Sequence, residues 1–421
     1  MIALMIALAV MSSGCDAQGS AASSSTAAQA PGVAGVRLGV DVIQDSLPSV
    51  LVGRRVGLIT NHTGRDSRGR STIDILAADS GLTLVALYAP EHGLRGTAAE
   101  GATIASGRDA ETGLPIHSLY GATRQPTPAM LEGVEALVFD IQDVGSRTYT
   151  YPYTMALGMR AAKEKGIPFV VLDRPDPVGG VVVEGGVLDS ALASFVGMYP
   201  IALRHGMTVG ELAGMFNDAF GIGANLTVVR MDGWRRDMWF DQTGLTWVAP
   251  SPNLPRLESA VSYPGTVFFE GINLSEGRGS DHPFEQTGSP WLRADTVVAE
   301  MERMGLAGVH FEAVTFTPAT SAAKFPGQEL HGVRIVVTDR DSYRPVDVVA
   351  RLIDTIRRLH PADFRFTGNS ESSPDIYWLD RLAGTRRLRQ AMERGTLGEL
   401  LDEWQRDAAG FDAARQRYLL Y

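Results

Sequence analysis

Residues 82–89 (LTLVALYA) form an unbroken apolar run of strand length that stops at Pro90. The chain then delivers Glu91, His92 and Arg95 onto a loop punctuated by Gly93 and Gly96. A continuous β-rich run suits a strand buried on both faces, as in a parallel sheet. Three further segments repeat the design. Residues 54–60 (RRVGLIT) lead into Asn61-His62-Thr63-Gly64, residues 135–139 (EALVF) into Asp140 and Asp143, and residues 168–172 (PFVVL) into Asp173-Arg174-Pro175-Asp176. Asp, Asn and Gly are common after any strand, but here all four ends carry chemically useful groups. In open α/β sheets ligands bind beyond the carboxyl ends of the strands, which puts a candidate site around Glu91.

Between about residues 36 and 245, strand patterns alternate with helix patterns at 71–78, 151–165 and 208–220, followed by a strand at 225–231. Thr208 with Glu211 three residues on is a capping box. Alternation of this kind predicts an α/β fold, a Rossmann-like and largely parallel sheet with helices on both faces. Pro250, Pro252 and Pro255 stop any regular element. They divide an N-terminal domain, residues 36–247, from a smaller α/β domain, residues 248–421; a chain of 421 residues has core enough for both. The second part reads as strands near 309–317 and 333–338 and helices near 345–359 and 397–407. It also holds a second polar cluster, Glu270, Asn273, Ser275, Glu276 and Arg278.

The first eleven residues, MIALMIALAVM, are apolar but too short to span a bilayer. With Ser12-Ser13-Gly14-Cys15 they read as a signal peptide, residues 1–15, that resembles a bacterial lipobox. Cys15 is the single cysteine of the chain and is expected to carry lipid; a conventionally cleaved signal with an incidental cysteine is the alternative. Residues 16–35 read as a flexible tether. The expected location is therefore the cell envelope or periplasm, on a membrane anchor.

A net charge of −10 gives no basic surface for nucleic acid. No phosphate-loop, dinucleotide-fingerprint or nucleophile-elbow motif occurs, and the eight histidines have no zinc-ligand spacing, so neither cofactor nor metal is expected. What remains is carboxylates, Glu91, Asp140, Asp143, Asp173, Glu184, Glu270, Glu276 and Glu285, beside arginines 95, 147, 174, 204 and 278. Glycoside hydrolysis needs a proton donor for the leaving oxygen and a carboxylate near an oxocarbenium-like centre. The arginines suit a substrate that itself bears a carboxylate. A carbohydrate- or anion-binding module fits the same residue types.

The segments VGLITNHTG (56–64), LYAPEHGLRG (87–96), TGLPIHSLYG (112–121), FDIQDVGSRTYTY (139–151), VLDRPDPVGG (171–180), LRHGMTVGEL (203–212), PSPNLP (250–255) and FEGINLSEGRG (269–279) resemble the exo-acting β-N-acetylmuramidases, long catalogued as a domain of unknown function. The resemblance covers about residues 38–421. It implies a Rossmann-like domain paired with a smaller one, a site in the cleft between them, and release of N-acetylmuramic acid from the non-reducing end of peptidoglycan fragments. The glutamate of the family's P-E-H-G motif, implicated in catalysis, matches Glu91. Ser146, Thr148 and Ile272 depart from the expected Ala, aromatic and Thr.

Burial at a cleft floor would favour Glu91 as a general acid; a salt bridge to Arg95 is the bland alternative. His92 would orient it or bind a sugar hydroxyl. Asp140, Glu270 and Glu276 are the other catalytic candidates, with Asp140 and Asp143 alternatively capping a helix or pairing with Arg147. Asn61, Arg95, Asp143, Arg147, Tyr151, Arg204, His205, Asn273 and Arg278 complete a substrate-binding set, and Asp173 with Arg174 reads as a structural ion pair. Two rival functions stand beside the muramidase: a lipid-anchored binder of cell-wall sugars, and a β-N-acetylglucosaminidase-like hydrolase without lactyl selectivity.

Overall fold

The strand-length apolar runs assemble into one sheet. In the computed structural model, which describes residues 35–95, 105–368 and 375–421, the first strands are β1 (Arg55–Thr60), β2 (Thr83–Ala89), β3 (Gly107–Arg108), β4 (Pro115–Ser118), β5 (Ala136–Asp140) and β6 (Phe169–Leu172). A hairpin of β7 (Glu184–Val187) and β8 (Ala202–Arg204) stands apart, and β9 (Leu226–Val229) returns to the sheet. The order is β3-β4-β2-β1-β5-β6-β9. All its pairings are parallel except that of the two-residue edge strand β3. Cys15 and the expected signal and tether up to residue 34 lie outside the described residues.

Successive strand side chains point to opposite faces, and both faces are covered. Leu58, Leu87, Val138 and Val170 meet Val40, Ile43, Ile73 and Leu76 from α1 (Gly39–Asp45) and α2 (Thr72–Ala78). Ile59, Tyr88, Phe139 and Val171 join the core that holds Tyr153, Met159, Leu212 and Phe216 of α3 (Tyr151–Lys165) and α4 (Val209–Asp218). The expected α/β architecture is thus present. Helix α3 ends at Gly166 in the left-handed region, and α4 starts on the Thr208–Glu211 capping box.

After the proline-rich segment come α5 (Leu257–Thr266), β10 (Gln286–Ser289), α6 (Ala294–Glu302), β11 (Val309–Phe316), β12 (Leu330–Val337), α7 (Pro345–Leu359), α8 (Trp378–Ala383), α9 (Arg387–Arg394) and α10 (Leu397–Arg415). Strands β10, β12 and β11 make a small antiparallel sheet. Helix α10 runs well past residue 407, because Ala408, Phe411 and Arg415 keep its inner face buried. The core containing Phe139 and Phe169 continues without a break into Val261, Phe268, Ile353, Leu379 and Trp404.

Two ionic contacts brace the C-terminal elements, one among themselves and one against the β7-β8 hairpin. The loop after α5 wraps around the Lys324 ammonium, which donates to the carbonyls of Phe269, Ile272 and Leu274 at 2.8, 3.0 and 2.8 Å. Lys324 also pairs with Glu276 at 3.0 Å. Burial pushes Glu276 up, and the opposing Lys324 and Arg278 charges outweigh it, leaving its carboxyl below the usual range. Elsewhere Glu184 of β7 accepts the Asp347 amide of α7 at 2.9 Å. Burial lifts Glu184 to about 7, against the pull of Arg204, and its Oε2 has no hydrogen-bond partner.

Lys324→Met should destabilise the fold by about 1–3 kcal/mol, the cost of leaving carbonyls and one side of Glu276 without their donor while Arg278 still pairs with it. Denaturant midpoints test this, and a second change of Glu276→Gln should restore part of the loss. An unchanged midpoint would mean that Lys324 does not hold the loop. Glu184 carries a pH signature. Its folded pKa lies above the unfolded one, so the folded state binds the extra proton and stability falls as pH rises from about 4.5 to about 7. Glu184→Gln removes that loss. Its advantage over wild type should be small at about pH 5, grow to order 3 kcal/mol by about pH 8 and level off above. A pH-independent difference would contradict the burial.

Candidate active site

Strand β2 stops because Pro90 supplies no amide to the ladder. A tight turn follows, closed by the Gly93 amide on the Pro90 carbonyl at 3.0 Å. His92 sits in this turn at φ +66° and Gly93 at +73°. A left-handed histidine is strained, and such strain persists where the surroundings over-determine it. The turn leaves Glu91 half-buried and His92 buried. The Thr150 hydroxyl donates to Glu91 Oε2 at 2.9 Å, and Thr150 is the residue that begins α3. The Glu91 carboxylate therefore lies near the positive end of a fifteen-residue helix. Tyr120 lines the cavity beside Glu91 as well. Burial, reinforced by the Glu91 charge, pushes the Tyr120 phenol up to about 12, so it remains a donor.

Around Glu91 opens a cavity of about 470 Å³, the size range of small-ligand sites. One wall is aromatic. Tyr149 packs edge-on against Tyr151 and Tyr263, with ring centres 5.0 and 5.8 Å apart. Burial raises all three phenols, which keeps them neutral. The Tyr149 hydroxyl has no protein partner, whereas Tyr151 donates to the Pro250 carbonyl at 2.9 Å. The proline-rich segment contributes Ser251, Asn253 and Leu254. The far wall comes from the C-terminal part: Glu270, Arg278, Phe284, Trp378 and Arg381. Arg278 bridges Glu270 at 2.9 Å and Glu276 at 3.0 Å, and the Trp378 indole donates to Glu270 at 3.3 Å.

Of the residues singled out from sequence, Glu91, His92, Tyr151, Glu270 and Arg278 line this cavity. The others do not. Asp140 is fully buried, paired with Arg174 and accepting from the Thr72 hydroxyl, so it is not placed for catalysis in the cleft. Arg174 thus reaches Asp140 rather than Asp173, which accepts instead from Thr208, the Gly210 amide and Tyr421. Glu276 is held by Lys324 and Arg278 behind the wall. Arg95 pairs with Asp109 at 3.0 Å and Glu111 at 3.4 Å. Asn61 caps its own turn through Thr63, and Asn273 ties to the backbone of Asp363 and Arg365.

Asp143 accepts from the Gly145 amide and faces His205 Nε2 at 3.4 Å in a sealed pocket with Asp176. Arg204 donates to the Val178 carbonyl. Arg147 is buried and donates to the Leu382 carbonyl at 3.0 Å; burial pushes its guanidinium down to about 10. Gly197 and Gly384 lie against it, where a Cβ would come within 2.8 Å of its nitrogens. Arg147 therefore clamps the end of α8, the helix that presents Trp378 and Arg381.

The sheet order reverses between β1 and β5, the usual place for a ligand. Here the chain itself bridges that crevice. The Thr60 hydroxyl donates to the Asp140 carbonyl at 2.8 Å and the Gln142 amide to Thr63 at 3.0 Å. The open cavity is displaced toward the ends of β2 and β4, where Tyr120 and Arg124 were missed by sequence reasoning although Tyr120 lies within TGLPIHSLYG and Arg124 just beyond it. Trp378 and Arg381 carried no motif.

Two carboxylates from distant parts of the chain thus face one sugar-sized, tyrosine-walled cavity, an arrangement suited to acid-assisted glycosidic cleavage. Residues 56–258 match the family model of the N-terminal domain of exo-beta-N-acetylmuramidase NamZ, and residues 261–421 match its C-terminal domain. The chain is 46% identical over 387 residues to the peptidoglycan beta-N-acetylmuramidase NamZ of Bacillus subtilis (strain 168), covering 92% of this chain and 91% of that protein. Two crystal structures of DUF1343 family proteins from Bacteroides fragilis are similar. One has a TM-score of 0.82 at 35% identity and the other 0.70 at 31%, each covering 92% of this chain and 99% of its own. With both halves of the family matched along nearly its whole folded length, this chain belongs to the NamZ exo-beta-N-acetylmuramidase family.

Proposed function

We propose that this chain is an exo-acting glycoside hydrolase that releases N-acetylmuramic acid from the non-reducing end of peptidoglycan fragments. The observation that carries the reading is the pairing of Glu91 and Glu270 on one cavity of single-sugar size, in a chain so similar to a peptidoglycan muramidase. Glu91 donates its proton to the glycosidic oxygen as the bond to the anomeric carbon breaks. Positive charge then develops on the sugar ring, and the Glu270 carboxylate offsets it from the opposite wall. Water supplies the hydroxyl of the released muramic acid, and its proton restores Glu91. The tyrosines give the sugar a rigid apolar face and neutral donors.

We further propose that the protein works at the cell envelope, tethered through lipid on Cys15. The support is the apolar leader with Ser13-Gly14 before the single cysteine. Several acyl chains on one cysteine suffice for stable anchoring.

Glu91→Gln keeps the shape and the Thr150 contact but has no proton to give. Turnover of a muramyl disaccharide should fall about 10²–10⁴-fold, while a nitrophenyl muramide, whose leaving group needs less protonation, should lose less. Affinity for muramic acid should persist, since only the transition state gains from the proton. A folded variant with near-normal turnover of the disaccharide would remove Glu91 from the role of acid. Cys15→Ala should move the protein from the membrane to the soluble fraction of the native host. Wild-type protein recovered wholly soluble and cut beyond residue 15 would exclude the anchor.

A further inference from the structure

An anionic substrate entering a cavity with two carboxylates needs positive charge that those carboxylates do not already neutralise. Three arginines line the cavity: Arg124, Arg278 and Arg381. Arg278 is spoken for by Glu270 and Glu276. The other two differ. Among the described residues neither the Arg124 nor the Arg381 guanidinium has an ion pair or hydrogen bond. The carboxylate next to Arg381 in sequence, Asp380, is occupied by Arg389 at 3.2 Å and by the Tyr377 amide. The central carbon of the Arg124 guanidinium lies over the Phe195 ring, 4.2 Å from its centre, a contact that uses none of its N–H donors in a hydrogen bond.

The two guanidiniums come from opposite parts of the chain, Arg124 from the loop after β4 and Arg381 from α8. Arg124 is exposed, whereas Arg381 is half-buried, so its charge is less screened by water. Its helix is fixed by the buried Arg147 clamp at Leu382. A long, charged side chain held on a braced helix, beside Trp378 and without a partner, is arranged for an anion that arrives with the ligand.

On the reading that the cavity holds muramic acid, we propose that Arg381 binds the lactyl carboxylate of the sugar and that Arg124 adds a second, outer positive charge to it. These two residues, rather than Arg95, Arg147 or Arg278, then set the preference for N-acetylmuramic acid over N-acetylglucosamine. A guanidinium grips a carboxylate through two parallel bonds, and loss of such a charge-assisted contact costs roughly ten- to a hundredfold.

The test is a cycle between protein and substrate. Wild type, Arg381→Ala, Arg381→Lys and Arg124→Ala are assayed on 4-nitrophenyl β-N-acetylmuramide and on its lactyl methyl ester, which lacks the negative charge. Wild type should prefer the free acid by roughly ten- to a hundredfold in kcat/KM. Arg381→Ala should abolish most of that preference, mainly through KM, and Arg381→Lys should recover part of it. Arg124→Ala should reduce it less. If Arg381→Ala slows acid and ester alike, the residue merely supports the wall and the proposal is wrong. If wild type cleaves both equally, the carboxylate is not read, although the muramidase activity stands. Failure of wild type to cleave either substrate would overturn the activity and this inference with it.

Discussion

The cavity exists because one hydrophobic core passes unbroken from the parallel sheet into the C-terminal elements. Phe139 and Phe169 on the sheet, Met159 on α3, Phe268 after α5 and Leu379 on α8 belong to the same apolar cluster. Packing at the density of a protein interior allows little relative movement. Glu91, carried by the end of β2, and Glu270, carried by the loop around Lys324, are therefore held in fixed relation although 179 positions separate them in the chain. Arg147 extends the same coupling. It starts from the loop after β5 and ends on the carbonyl of Leu382, so the position of α8 is set from the sheet side.

Charge in the molecule divides by location. Away from the cavity, buried ions are matched within the chain: Asp140 with Arg174, Glu276 with Lys324 and Arg278, Glu211 with Arg236. A buried pair gives little net stability but is costly to break, which suits groups that fix loops rather than react. Along the cavity the matching is only partial, with Glu270 paired to Arg278. Glu91 accepts from the Thr150 hydroxyl, and among the described residues Arg124 and Arg381 have no counter-charge.

The sheet was legible because buried parallel strands must be continuously apolar, and residues 54–60, 82–89, 135–139 and 168–172 have no other use. The α4 start at Thr208 and the α3 end at Gly166 were equally readable, since caps obey local chemistry. Glu91 was readable for the same reason: a carboxylate after a proline at a strand end has little local purpose. Asp140 also stood at a strand end but is held by Arg174 from the loop after the neighbouring strand, and such a long-range pairing leaves no local trace. The six-residue helix α8 was invisible, being too short to show a period, and Arg381 and Trp378 went with it. Lys324 was overlooked because a lysine in a turn normally faces water; here it gathers carbonyls from a loop about fifty residues earlier.

The central claim is that muramic acid is cleaved in this cavity, with Glu91 at the glycosidic oxygen. The most direct measurement is a crystal structure of the Glu91→Gln variant soaked with a disaccharide of N-acetylmuramic acid β-1,4-linked to N-acetylglucosamine. The account predicts the muramic ring against Tyr149 and Tyr263, its glycosidic oxygen within hydrogen-bond reach of the substituted side chain, and the second sugar toward the opening. A sugar bound outside this cavity, or a muramic ring whose glycosidic oxygen points away from position 91, would contradict it.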